Sequence, residues 1–426
     1  MSTEEEGVRE KYCGWFDVLT TPLNACSLET YFPLLRDDGS DNQSAHIPLI
    51  VGCYQLNESS PVDPEDADAA SSSAASSRCG ELRLHMIPTP STSKTEMQFG
   101  DAACVLQMES GVLDGKWKRR RKNNQSDAVE CANGTPLFAS ACASGSIHIH
   151  GLQNNITDSN TNTTSWSLNH FASTYGQNDT GLCLALAWND YLNNNGDQIV
   201  SSYSKGEVAI HQVSYSGDTN EVPKLEETHR WNAHTLFGCP SEVWTCSFLR
   251  GAESVVLSGA DDCSMKVWDI RQTQRPVHKV GDAEFEAGVT AISSHPSLDG
   301  IFAVGSYDEH VRLYDYRKMN EPLSKVSVGG GVWRIKWHPS TWSGKSSCHG
   351  KLLVAAMHGG CRVVNFPSLN GDVEEYTIEE ADVISEFTAH ESMAYGADWI
   401  SFGTSELEAA ASCSFYDRKA FIWDSS

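Results

Sequence analysis

Catalytic signatures are what this chain most conspicuously lacks. It has no G-x-S-x-G nucleophile elbow, no H-E-x-x-H, no Gly-rich phosphate loop with its Lys and no dinucleotide fingerprint. No Gly-rich strand–helix site for a methyl-donor cofactor is evident either. Its fourteen cysteines contain no C-x-x-C pair, so a disulfide framework or a zinc site is not indicated, and buried thiols in a reducing compartment are expected. Scattered histidines give no metal-ligand spacing, and no cofactor is expected. Basic residues are scarce: 31 Lys and Arg stand against 56 Asp and Glu, a formal charge of -25. That argues against general nucleic-acid binding, which needs a basic face to displace counterions. No apolar run approaches the roughly 18 residues of a spanning helix, and the acidic start MSTEEEGVREK does not read as a signal peptide. The cytoplasm is the expected compartment.

What the chain has is a repeat. GADDCSMKVWDIR (259–271) and GSYDEHVRLYDYR (305–317) share Gly, Asp, an apolar alternation, an aromatic-Asp pair and a closing Arg at a 46-residue offset. The same grammar extends in both directions. Unit four runs through 243–248, 254–259 and 266–269; unit five through 288–296, 301–305 and 311–315. Unit six covers 331–339, 351–360 and 361–366, and unit seven 395–400, 406–415 and 420–424. Earlier come unit three (182–189, 198–206, 207–213), unit two (111–117, 136–145, 146–152) and a weaker unit one (47–56, 81–87), with LNACSLETYFP as an irregular stretch before it. Seven units of short strands without helical periodicity predict an all-β, seven-bladed WD40 β-propeller. The chain ends two residues after IWD, so the early segment 14–19, GWFDVL, is the candidate for closing the ring.

Two units carry a polar tetrad. His234, Ser258, Asp262 and Trp268 recur as His390, Ser412, Asp417 and Trp423, with His-to-Asp intervals of 28 and 27 residues. A buried His bonded to a turn Asp, extended by Ser and Trp, locks outer strands together, so these histidines read as structural. Three stretches fall outside the grammar: an acidic, Ser/Ala-rich insertion at 57–79 expected to be disordered, and expected loops at 118–135 and 151–180. The second begins with the basic run 118–122, KRRRK.

Polar residues that a blade does not need are the functional candidates. Asp308 aligns with Asp262, yet unit five has no His before its first strand, so Asp308 has no evident partner; Glu309 and His310 adjoin it. Arg334 is a mid-strand guanidinium near the channel, which calls for an anion. His358 sits in the turn of unit six. Asp398 lies on the innermost strand of unit seven, where it could pair with Arg334 across the channel. Trp333 and Trp337 read as packing residues, and His295 and His338, each before a proline, as turn residues. Asp308, His310, Arg334, His358 and Asp398 form the candidate catalytic set.

The stretches VGCYQL, SGADDCSMKVWDIR, GSYDEHVRLYDYRKMNEPL, GGGVWRIKWHP, AAMHGGCRVVN and SMAYGADW together resemble the diphthine methyl ester hydrolase family, the WD-repeat proteins of diphthamide synthesis formerly called diphthine methyltransferases. The resemblance is densest over 233–424. It implies a monomeric carboxylic-ester hydrolase that removes a methyl ester from the modified histidine of translation elongation factor 2, without nucleic-acid or membrane contacts. In such chemistry His310 or His358 would act as base, Asp308 or Asp398 would orient it, and Arg334 would stabilise the oxyanion. Phe285 departs from the family pattern, which tends to place a histidine there. The missing nucleophile motif keeps a non-catalytic WD scaffold, or a ubiquitin-ligase substrate adaptor suggested by the WDIR and YDYR endings, as the alternative.

Overall fold

The computed structural model describes residues 16–31, 46–56, 78–89, 97–119, 135–158, 163–174, 181–191, 197–215, 222–343, 349–369, 380–401 and 408–425. Among these the chain forms seven four-stranded antiparallel sheets and one two-stranded hairpin. The sheets are the blades of a propeller. Their innermost strands are, in order, Asn24–Thr30, Val112–Trp117, Cys183–Trp188, Val243–Phe248, Val289–Ser294, Arg334–Trp337 and Ala394–Ser401. Each inner strand touches the next, and the seventh touches the first, so the ring is closed.

Closure uses the expected segment. Phe16–Thr20 pairs antiparallel with the last strand, Lys419–Asp424, in the register Phe16 to Trp423 through Thr20 to Lys419. Residues 14 and 15 lie outside the described residues. The Phe16 ring meets Phe387 and Phe421 edge-on at 6.2 and 6.0 Å, so the added strand is held by packing as well as by its ladder.

The first unit is regular once its inner strand is recognised. Asn24–Thr30 fills that place, followed by His46–Leu56, Arg78–Pro88 and Cys104–Met108. The stretch 151–180 is not a loop in the main: strands Ile147–Asp158 and Thr163–Ser173 form a long hairpin across it. The hairpin satisfies the backbone of this polar segment by its own ladder, which Asn/Thr-rich composition does not advertise. Residues 57–77 of the insertion lie outside the described residues, while Arg78 and Cys79 open a strand. Of the basic run 118–122 only Lys118 and Arg119 are described, and the Lys118 ammonium pairs with Asp197.

Both tetrads form. In blade four Trp268 Nε1 donates to Ser258 Oγ (2.8 Å), Ser258 stands 2.7 Å from His234 Nε2, and His234 Nδ1 lies 2.9 Å from Asp262. In blade seven Trp423 and Ser412 repeat the first half at 3.1 and 2.8 Å. There Ser414 is interposed, 2.7 Å from His390 Nδ1 and donating to Asp417 at 2.6 Å. His295 and His338 behave as turn residues. His295 Nδ1 accepts from the backbone of Ser297 and Leu298, and His338 Nδ1 from Ser340 N.

Several buried imidazoles are held below the usual histidine range. Burial holds His150, His295 and His390 down to about 3 and His211 to about 4, and it lowers His234 despite the opposing Asp262. A histidine with a depressed native pKa binds protons in the unfolded chain first, so its stabilisation is lost as pH falls through about 6.5 toward the native value. Each such group steepens the loss by up to about 1.4 kcal/mol per pH unit. Urea titrations should therefore show the unfolding midpoint dropping between pH 7 and pH 5, with a shallower drop in His390→Gln. An unchanged slope in that variant would contradict the assignment.

Candidate functional site

Six of the seven blades show a register shift near the entry of the inner strand: Ala25/Ser27, Val112/Asp114, Cys183/Ala185, Val243/Thr245, Val289/Ala291 and Ala394/Gly396. A bulge inserts one unpaired residue and re-aims its side chain. The bulged residues are Cys26, Leu113, Leu184, Trp244, Thr290 and Tyr395; in blade six Trp333, directly before the inner strand, holds the equivalent place. They form the ring around the mouth of the central channel. One residue further along stand Asp114, Thr245 and Arg334, and two beyond those Glu29, Lys116, Ser247, Lys336 and Asp398. The channel thus has a largely apolar and aromatic mouth above a charged wall.

The wall is a ladder of alternating sign. Arg334 Nη2 lies 3.6 Å from Asp114, and Lys116 Nζ reaches Asp114 at 2.7 Å and Glu29 at 2.8 Å. Lys336 Nζ bonds Glu29 and lies 3.6 Å from Asp398. Three cations and three anions from four blades cancel, and that balance is what permits their burial. Burial pushes the Asp114 carboxyl up, but Lys116 and Arg334 more than reverse this and hold it below the usual range. Burial also favours a neutral Lys116, which Asp114 and Glu29 overcome. Asp398, the most secluded member, is raised by burial against the pull of Lys336. Beside the ladder a cavity of about 140 Å³ is lined by Glu29, Lys116, Tyr191, Thr290 and Lys336 among others.

The five candidates from the sequence do not gather in one place. Arg334 and Asp398 do not pair with each other; they are the two ends of the ladder, with Asp114, Lys116, Glu29 and Lys336 between. Asp398 also accepts from the backbone N–H of Thr30 at 2.9 Å, tying the seventh blade to the first. Asp308 is not without a partner. Arg312 holds it with two bonds, 2.9 and 2.7 Å, and also bonds Glu284 at 2.6 Å. The Arg312 guanidinium lies 4.7 Å from the ring of Phe285. Phe285 and His390 both stand four residues before their inner strands, so blade five has replaced the His–Asp contact by an Arg–Asp pair packed on Phe. Asp308 is therefore a blade residue.

His310 sits in the same turn, its Nδ1 2.6 Å from the carbonyl oxygen of Asp308. His358 is exposed on the neighbouring turn, 3.8 Å from Glu309. What sequence reasoning missed lies at the mouth: Trp244, Tyr307 and Tyr395 as well as Trp333, and in the wall Glu29, Asp114, Lys116 and Lys336. Charged residues two apart on an inner strand, Asp114/Lys116 and Arg334/Lys336, were the available signal.

Seven sheets around a channel whose mouth and wall come from the inner strands define a WD-repeat propeller with an axial site. Residues 228–269 match the WD domain, G-beta repeat family. A solved structure titled "Crystal Structure of Mitotic Checkpoint Complex" shares the fold, with a TM-score of 0.55 over 96% of this chain and 90% of that one at 12% identity. Human diphthine methyltransferase is 31% identical over 412 residues, 95% of this chain and 78% of its own. The chain belongs to the diphthine methyltransferase family. The Dictyostelium discoideum homolog is 35% identical over 57% of this chain, and the mouse protein 33% identical over 82%. The matches span 62% and 64% of those two relatives' lengths.

If Asp308 belongs to the blade, Asp308→Ala leaves the buried Arg312 without its main carboxylate and should destabilise the protein by about 3–5 kcal/mol. The pair replacement Asp308→Leu with Arg312→Met should recover much of that loss in the same denaturant titration. Little effect from the single change would contradict the assignment.

Proposed function

We propose that this protein hydrolyses the methyl ester of diphthine methyl ester on translation elongation factor 2. One observation carries the reading. The segments that resemble the family deliver their side chains to a single mouth: Tyr54 from VGCYQL, Asp261 from SGADDC, Tyr307 from GSYDEH, Trp333 from GGGVWR, Met357 from AAMHGG and Tyr395 from SMAYGADW. Tyr54 meets Phe415, Phe415 meets Tyr395, and Tyr395 stacks on Trp333 at centroid distances of 4.9, 5.4 and 4.9 Å. An aromatic mouth on the propeller axis suits a modified side chain presented by a folded protein.

Ester hydrolysis adds the oxygen of water to the carbonyl carbon and expels methanol, leaving a carboxylate. Arg334, directly below Trp333, supplies positive charge for the developing oxyanion. The Trp333 indole N–H is shielded and has no acceptor among the described residues, and it can donate there too. His358, exposed beside the mouth-lining Met357 and close to Glu309, is the candidate to take the proton from water and return it to the leaving methoxide. Asp398 and Asp308 hold strands and turns in place, and His310 is braced by its own turn. No step calls for an added methyl donor, which separates this reading from the methyl transfer in the relatives' names.

Purified protein and elongation factor 2 carrying the methylated diphthine, mixed without cofactors, should yield a factor lighter by one CH2 and free methanol. His358→Ala should lower turnover by about 10²–10⁴-fold with an unchanged melting profile, and Arg334→Met by about 10²–10³-fold, with a lowered melting temperature because buried Asp114 loses one of its cations. Stable binding without mass change would contradict hydrolysis and leave a scaffold. Full activity in His358→Ala would remove that residue from the mechanism.

A further inference from the structure

The mouth is built for a cation. Trp333 is surrounded by the rings of Trp244, Tyr307 and Tyr395 at 5.4, 6.0 and 4.9 Å. All four are half-buried, so each ring is fixed by packing yet keeps surface toward solvent. Two glycines make room for Tyr307. A Cβ on Gly288 would lie 3.3 Å from its ring and 2.6 Å from Asp261, and one on Gly331 would lie 3.2 Å from the ring. Asp261 accepts from Trp244 Nε1 at 2.9 Å, which orients the indole, and its own N–H donates to the Glu242 carbonyl at 3.0 Å.

Charge points the same way. Neither Asp261 nor Glu242 has a cationic ion-pair partner among the described residues. Burial, reinforced by Asp261, raises the Glu242 carboxyl. Below Trp333 the next tier is balanced, with Arg334 5.4 Å from the ring and 3.6 Å from Asp114. A cation is thus drawn to the mouth rather than to the tier below.

We propose that Trp244, Tyr307, Trp333 and Tyr395, with Asp261 and Glu242, form a binding site for a quaternary ammonium group. This deepens the proposed function and rests on it for the identity of the side chain that carries the group. A quaternary ammonium has no N–H to donate, so it is recognised by ring faces and by charge rather than by directed hydrogen bonds. Aromatic faces supply attraction without demanding a donor, and the two carboxylates add field without having to touch. With the ammonium held at the mouth, the balanced tier of Arg334 and Asp114 below offers it no net attraction, and the uncharged ester end of the side chain enters instead. The site is thereby a positioning device as well as a recognition site.

The test uses choline and its uncharged isostere 3,3-dimethylbutan-1-ol, titrated into the full chain while tryptophan emission is followed at constant ionic strength. Choline should give a saturable change, with the isostere and potassium at least tenfold weaker. Trp333→Leu and Asp261→Asn should each weaken choline binding at least tenfold. Equal binding of choline and the isostere would overturn the proposal, and so would no binding at all. Unchanged choline affinity in both variants, with melting profiles like the parent, would also overturn it. The outcome is separable from the hydrolysis assay: ester cleavage by a protein blind to choline refutes this site alone, whereas choline binding without ester cleavage refutes the hydrolase reading and leaves the cation site standing. In the hydrolysis assay itself Asp261→Asn should raise KM more than it lowers kcat.

Discussion

Closure of the ring is the constraint on which everything else rests. The last blade has only three strands of its own, Ala394–Ser401, Glu408–Ser414 and Lys419–Asp424, and its outer edge is completed by Phe16–Thr20 from the opposite end of the chain. Without that fourth strand the seventh blade would expose an unpaired edge, and the first and seventh inner strands would lose the covalent path that holds them side by side. Only a closed ring brings Glu29, Asp114, Arg334, Lys336 and Asp398 close enough to neutralise one another. The Asp398 carboxylate accepting from Thr30 N–H is the inner counterpart of this outer seam.

A closed ring also explains the division of labour along the axis. Bulges at the entry of six of the inner strands turn one side chain each toward the mouth, and the residues beyond follow the pleat into the channel. Apolar and aromatic side chains take the first tier, at the entry of the inner strands. Charges take the deeper tiers, where each can be surrounded by opposite sign. A lone buried guanidinium would be costly, but Arg334 is supported by Asp114 at 3.6 Å and by the Trp333 carbonyl at 3.1 Å. Its place at the end of the ladder, next to Trp333, sets positive charge where the proposed reaction develops an oxyanion.

Much of this was legible in the sequence. The 46-residue echo, the aromatic-Asp endings and the two tetrads disclosed the blades, and the strand-like GWFDVL outside the seven units was legible as the closing segment. The first inner strand was hard to see because NACSLET mixes small and polar residues and is separated by a long stretch from the strand it pairs with. The hairpin through 151–158 and 163–173 was hidden by its Asn and Thr content. The site was less legible for a physical reason: a bulge breaks the two-residue alternation at the very residues that define the mouth, so Trp244 and Tyr395 read as ordinary strand positions. Arg312 was overlooked as the partner of Asp308 because the blade grammar supplies histidine in that role, and here the guanidinium reaches the turn from the third strand.

The central claim is that a water oxygen, and no methyl donor, acts at this mouth. The direct measurement is to run the reaction in heavy-oxygen water and determine where the label goes. The account predicts one heavy oxygen in the new carboxylate and unlabelled methanol, because the acyl–oxygen bond is the one that breaks. Label in the methanol, or a product whose carboxylate carries none, would contradict it.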